Sequence, residues 1–170
     1  MFLNRILAAA SCTVLLAIPA LSQSAKLSPA DKQFLKMAAV ADMTEAHLGQ
    51  MAENKAAMPG IKDFGQTLVK DHTQEYQQLA ALGGKLDQNI PNGINARRNS
   101  TVEHLTALKG KKFDNQFLRA EVQDHERVVA AFKREAQRGE NPEIKTYVNQ
   151  VLPTMEEHLR DAEKLLKHPA

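Results

Sequence analysis

In the stretch FDNQFLRAEVQDHERVVAAF, Glu121 and His125 lie four residues apart on what should be the apolar face of a helix. At about 100° per residue, the stripe Phe113, Phe117, Leu118, Val128, Val129 and Phe132 encloses both. A carboxylate and an imidazole so placed must be neutralised, hydrogen-bonded or bound to a metal ion, because burying an unpaired charge costs several kcal/mol. Three other apolar stripes carry the same kind of interruption. Glu45 sits near the centre of the stripe Phe34, Met37, Ala38, Ala41, Leu48, Met51 and Ala52. His72 is close to the middle, and Glu75 nearer the border, of the stripe Ile61, Phe64, Leu68, Leu79 and Leu82. His158 flanks a stripe of Ile144, Val148, Val151, Leu152, Met155, Leu159, Ala162 and Leu166.

Neutral imidazole nitrogens and carboxylate oxygens are the ligand set of zinc, iron, manganese and copper, and facing helices of a bundle can hold such ions in its core. Three histidines and one glutamate would satisfy four-coordinate zinc; adding Glu75 and Glu121 gives enough donors for two ions. The competing reading is a metal-free hydrogen-bond network in which each carboxylate fixes an imidazole and sets helix register. Met37, Met51 and Met155 also fall on inner faces, but flexible gap-filling is the usual role of core methionine, which puts zinc, iron or manganese ahead of copper. His47 projects outward, and His104 and His168 read as surface residues. Arg97, Arg98, Lys109, Lys111 and Lys112 read as a solvated basic surface rather than a site for an anionic partner. No G-x-S-x-G, P-loop or H-E-x-x-H motif supports a hydrolase or a nucleotide enzyme.

The elements that must position these residues are helical. Ser28-Pro29 pairs a hydroxyl cap with a proline at the first helical position, so a helix should run from there to about Ala57. Met58-Pro59-Gly60 breaks the chain and starts a second helix, expected to end at Gly83-Gly84. Residues 85–99, rich in Asn and Gly, read as a crossing loop. A capping box at Ser100-Thr101-Val102-Glu103 then opens a short helix through Leu108, stopped by Gly110. A long helix from Phe113 to about Arg138 ends at Gly139, and Asn141-Pro142 caps the last one, which contains Pro153 and should bend there. Four long helices arranged as two hairpins with a long connection between them predict an all-α, ferritin-like four-helix bundle whose crossover contains a short helix. Glu45, His72, His125 and His158 all fall near the middle of their helices. At about 1.5 Å per residue they could converge within a turn or two.

Composition agrees. The 170 residues suffice for one domain with a real core; tryptophan is absent, and aromatics make up 5%. The 22 basic and 20 acidic residues are interspersed, so nothing selects nucleic acid. Residues 1–22 read as a secretory signal, with Arg5 as the positive region, an apolar run from Ile6 to Leu21, and Ala20 and Ser22 as the small-residue cleavage pattern. The mature domain would then be 23–170, located in the periplasm, with no transmembrane helix. Cys12, the single cysteine, would leave with the signal, so disulfides and thiolate ligands are excluded.

The segments FLKMAAVADMTEAHLGQMA, FGQTLVKDHTQEYQQL, LKGKKFDNQFLRAEVQDHERVVAAF and IKTYVNQVLPTMEEHLRDAEKL resemble the bacterial "domain of unknown function 4142" family over about residues 30 to 166. Its marks are Lys-Asp-His-Thr on the second helix, Phe-Asp ahead of His125, and Leu-Pro ahead of His158. The resemblance implies a ferritin-like bundle in exported or envelope proteins of Gram-negative bacteria, often described as membrane or outer-membrane proteins, without an established activity. The chain departs from the di-iron pattern of paired E-x-x-H motifs: His72-x-x-Glu75 is reversed, and Met155 stands where the second motif needs Glu. The expectation is therefore a periplasmic protein that binds a transition metal or serves in stress protection, with oxygen-activating di-iron chemistry disfavoured and enzymatic activity left open. The alternative is a metal-free structural or interaction module of the envelope, with a partner the sequence does not name.

Overall fold

The computed structural model describes residues 27–168; the expected signal at 1–22 lies outside the described residues. Five helices follow in order: α1 (Pro29–Lys55), α2 (Pro59–Lys85), α3 (Ala96–Thr106), α4 (Gly110–Arg138) and α5 (Pro142–Lys167). Among the described residues no helix is long and apolar enough to cross a membrane.

The expected punctuation works at most ends. The Ser28 hydroxyl accepts from the Asp31 N–H at 3.1 Å while the Asp31 carboxylate accepts from the Ser28 N–H at 3.2 Å, a reciprocal cap that satisfies two donors the helix leaves open. Asn141 caps α5 by accepting from the N–H groups of Glu143 and Ile144. The crossover differs from expectation. Its helix starts at Ala96 under an Asn95 cap, not at the Ser100 box, so Arg97 and Arg98 are helical. That helix ends at Thr106, ahead of the expected Leu108, and is not stopped by Gly110. At φ 56° this glycine takes a left-handed conformation that side chains resist, and it is the first residue of α4. Gly83 and Gly84 lie inside α2, which ends one residue later.

The direction of each helix follows from its end contacts. Asp114, at the start of α4, accepts from the backbone N–H groups of Ala57 and Met58 at 3.0 and 3.1 Å, tying down the turn between α1 and α2. At the other end, the Glu140 N–H donates to Asp31. Thus α1 runs antiparallel to α4 as well as to α2, and the crossover traverses the bundle, as the ferritin-like arrangement requires. The tightest contact is between α1 and α2: a Cβ on Gly49 would lie 2.6 Å from the Gly65 carbonyl oxygen, and one on Gly65 would lie 2.7 Å from that of Gly49. Only hydrogen at both positions permits the approach.

The apolar interior is divided. One cluster includes Phe34, Leu35, Leu79, Val128, Phe132, Ile144, Val148 and Met155; a second includes Leu48, Ile61, Phe64, Leu68, Phe113, Phe117 and Leu118. Edge-on aromatic pairs anchor each, Phe34 with Phe132 at 5.0 Å and Phe64 with Phe117 at 6.4 Å between ring centroids. Between the two clusters lies a buried polar layer: Asp42 and Glu45 on α1, His72 and Glu75 on α2, Glu121, Asp124 and His125 on α4, and His158 on α5.

Candidate metal centre

All six residues singled out from the sequence, Glu45, His72, Glu75, Glu121, His125 and His158, are buried in this layer. One ring nitrogen from each of His72, His125 and His158 lies within 4.8 Å of the others, as do single ligand atoms of Glu45, Glu121 and His125, and of Asp42, His72 and Glu75. The histidine ring centroids are 5.2 Å (His72 to His158), 5.4 Å (His125 to His158) and 5.7 Å (His72 to His125) apart. Rings bound through nitrogen at about 2.0–2.1 Å would have centroids about 3.2 Å from the ion, hence about 5.2 Å apart at tetrahedral angles and about 5.5 Å in a trigonal plane. The observed triangle has those dimensions.

The outer nitrogen of each ring is held by an acceptor. His72 Nδ1–H donates to Asp42 at 3.2 Å, with Glu75 at 3.3 Å. His125 Nδ1–H donates to the Glu121 backbone carbonyl at 3.0 Å, and His158 Nε2–H to Asp71 at 3.2 Å. A carbonyl oxygen can only accept, and so can an ionised carboxylate, so these bonds place the proton on the outer nitrogen. The remaining nitrogens, His72 Nε2, His125 Nε2 and His158 Nδ1, are buried without a hydrogen-bond partner. Three imidazoles oriented through one nitrogen, with the other left open, is the arrangement that metal-binding histidines adopt.

Electrostatics distinguish the three rings. Burial lowers the His125 pKa to about 3 and that of His158 to about 4, with the nearby His72 charge adding to both effects. Burial also disfavours a charged His72, but the Asp42 and Glu75 carboxylates outweigh it and raise the ring to about 10. Burial pushes both of those carboxyls upward, although His72 opposes the shift. In the metal-free layer His72 thus carries the one positive charge of the triad, and its Nε2 proton must leave before that ring can bind an ion.

Beside the triad lies a carboxylate cluster. Burial and the negative charges of Glu121 and Asp124 push Glu45 well above the usual range, so it is protonated and can donate to its neighbours. Burial raises Glu121 to about 7. Burial acts against Asp124 too, but the neighbouring Glu45 carboxyl and the Arg98 guanidinium hold it ionised, well below the usual range. The Arg98 guanidinium donates directly to Asp124, and Arg127 adds a second contact at 2.7 Å. Arg98 is therefore no member of a solvated basic surface: it reaches inward from α3 and neutralises the polar layer.

Sequence reasoning missed Asp42, Asp71, Asp124 and Arg98. Three had a local signal. Asp42 precedes Glu45 by three positions on the same helical face, Asp124 follows Glu121 at the same spacing, and Asp71 adjoins His72 in Lys-Asp-His-Thr. Arg98 had none, because only the course of the crossover brings it to α4.

Residues 17–165 match the sequence profile of the family described as Domain of unknown function (DUF4142). The chain belongs to that family. No curated protein matches this DUF4142 chain in sequence. Its fold is shared with solved structures of low identity. A DUF305 fragment from Deinococcus radiodurans superposes with a TM-score of 0.73 at 17% identity, covering 83% of this chain and 97% of that one. CopM in its Cu(II)-bound form gives 0.69 at 16%, covering 81% and 95%. A conserved hypothetical protein, rv2844, from Mycobacterium tuberculosis gives 0.64 at 12%, covering 81% and 91%. CopM also matches in its Cu(I)-bound and silver-bound forms.

Proposed function

We propose that this DUF4142 chain is a periplasmic transition-metal-binding protein whose ion is held by His72, His125 and His158. The observation that carries the reading is the set of three buried, unpartnered ring nitrogens converging from α2, α4 and α5, each on an imidazole fixed through its other nitrogen. Leaving three such nitrogens dry and unpaired costs stability that hydrogen bonding within the layer does not recover, whereas coordination, with loss of the His72 Nε2 proton, satisfies all three. Glu45 and Glu121 lie beside His125 as a separate set of oxygen donors. Three imidazoles with carboxylates select a borderline divalent ion, zinc or copper(II), and the general affinity order places copper(II) first. The structural likeness to CopM, whose copper-bound forms share the fold, is consistent with that ion class. Periplasmic location is supported by the signal-like composition of residues 1–22. The described residues contain no cysteine, and their candidate ligand groups consist of histidine, glutamate and aspartate, so nitrogen and oxygen would carry the binding.

The test is metal analysis of untagged protein together with thermal denaturation. A bound equivalent of metal, and a melting temperature raised by zinc or copper(II) in the wild type but not in His125→Ala, is the expected result. Metal-free protein whose melting temperature no ion alters would favour the hydrogen-bond network instead.

A further inference from the structure

The triad is sealed by apolar packing above and below, so an ion must reach it from the side. On the α2–α5 face lies a polar groove of about 350 Å³ lined by Asp71, Glu75, Gln78, Gln150, Thr154 and Glu157, among others. Two of these residues also touch the triad: Asp71 bonds His158 and Glu75 lies beside His72. Glu75 is 6% exposed, and its Oε2 pairs with His72 Nδ1 at 3.3 Å without good hydrogen-bond alignment, because that N–H is directed to Asp42. A buried carboxylate that contacts His72 thus also forms part of the wall of a polar cavity, linking the groove to the histidines through one side chain. At about 30 Å³ per water, the groove has room for an ion with a full hydration shell. The other grooves lack this link: the one around His104, Lys111 and Lys112 is basic, and the one around Ala57, Met58 and Leu165 is largely apolar.

We propose that the α2–α5 groove is an outer docking site for a hydrated divalent cation, in which the Asp71, Glu75 and Glu157 carboxylates capture the ion before it passes between Asp71 and Glu75 to the histidine triad. The inference rests on the triad being the final metal site. The carboxylates raise the local cation concentration at the mouth, an effect that weakens with ionic strength, and their oxygens replace water as the ion sheds its shell. Glu157 lies on the exposed rim and touches no histidine in the contacts described, so it separates capture from final binding.

Stopped-flow loading of the untagged protein with zinc, followed by a competing fluorescent chelator, tests this. Glu157→Lys should slow association at least several-fold at low salt, with most of the loss disappearing at high salt. Gln150→Trp, which fills the groove from an exposed position, should slow association and release alike while leaving one equivalent bound. Asn115→Trp, in the basic groove, should change neither rate. Wild-type loading rates in both groove variants, with normal stoichiometry, would overturn the docking site and leave the triad reading intact. Failure of the wild type to bind would overturn both.

Discussion

The Asp71 carboxylate on α2 lies 3.2 Å from His158 Nε2 on α5, a contact between hairpins across 87 residues. It determines which His158 nitrogen is free: with Nε2–H donated to Asp71, Nδ1 is left to face His72 and His125. Removing such a partner typically lowers metal affinity by about 10- to 100-fold. Asp71→Asn should therefore bind zinc or copper(II) more weakly by about that factor in calorimetric titration, with stoichiometry preserved. Equal affinity in the two proteins would show that the contact does not orient a ligand.

Arg98 should matter for stability more than its place on the crossover suggests. It donates to Asp124, which is 3% exposed and ionised beside Glu45 and Glu121. Breaking a buried pair by removing one partner costs about 3–5 kcal/mol, though Arg127 moderates the loss here. Arg98→Ala should lower unfolding free energy by about 2–4 kcal/mol in urea titration, and Asp124→Asn in the same background should restore part of it. An Arg98→Ala protein as stable as wild type would mean that Arg127 alone neutralises Asp124.

The glycine contact between α1 and α2 sets the spacing on which the polar layer depends. A methyl group on Gly65 would meet the Gly49 carbonyl at 2.7 Å and Ala52 Cβ at 2.9 Å, neither of which can rotate away. Gly65→Ala should destabilise the fold by about 1–3 kcal/mol despite the better helix propensity of alanine. Gly84→Ala, where a Cβ would meet nothing within 4 Å, should be neutral or stabilising. Chemical denaturation of the two variants separates packing from propensity.

At the end of the bundle where α1 begins, the Glu135 carboxyl sits beside that of Asp31. Burial and the neighbouring Asp31 raise Glu135 to about 7 from an ordinary value of 4.5. Burial works against the Asp31 carboxylate, but hydrogen bonds from Glu135 and Ser28 hold it below the usual range. A raised folded pKa means that the folded state binds the extra proton. The Glu135 contribution is thus fully present below 4.5 and is lost as pH rises through about 7. The melting-temperature difference between wild type and Glu135→Gln should therefore shift against wild type as pH rises across that interval. Identical pH profiles would show that Glu135 does not titrate within it.

The bundle was legible in the sequence because its signals are local. Ser28-Pro29, Asn141-Pro142 and the 3.6-residue stripes each mark an element without reference to the rest of the chain. The histidines and glutamates of the centre were legible for the same reason, each being a polar residue in an apolar stripe. The start of the crossover helix was misplaced because two plausible caps, Asn95 and Ser100, compete there, and the sequence does not say which one the packed chain uses. The residues that hold the ligands in place were less visible. Asp42 and Asp124 are ordinary acidic residues at helix positions that a surface could explain, and Arg98 gains its role only through a contact 26 residues away.

The most direct measurement is the coordination of copper(II) added to untagged protein, read by electron paramagnetic resonance with nitrogen-15-labelled histidine. One equivalent with nitrogen hyperfine structure from His72, His125 and His158, changed by each single His→Ala substitution, is the predicted result. A spectrum of copper in water, or one unaltered in all three variants, would contradict the histidine triad as a metal site.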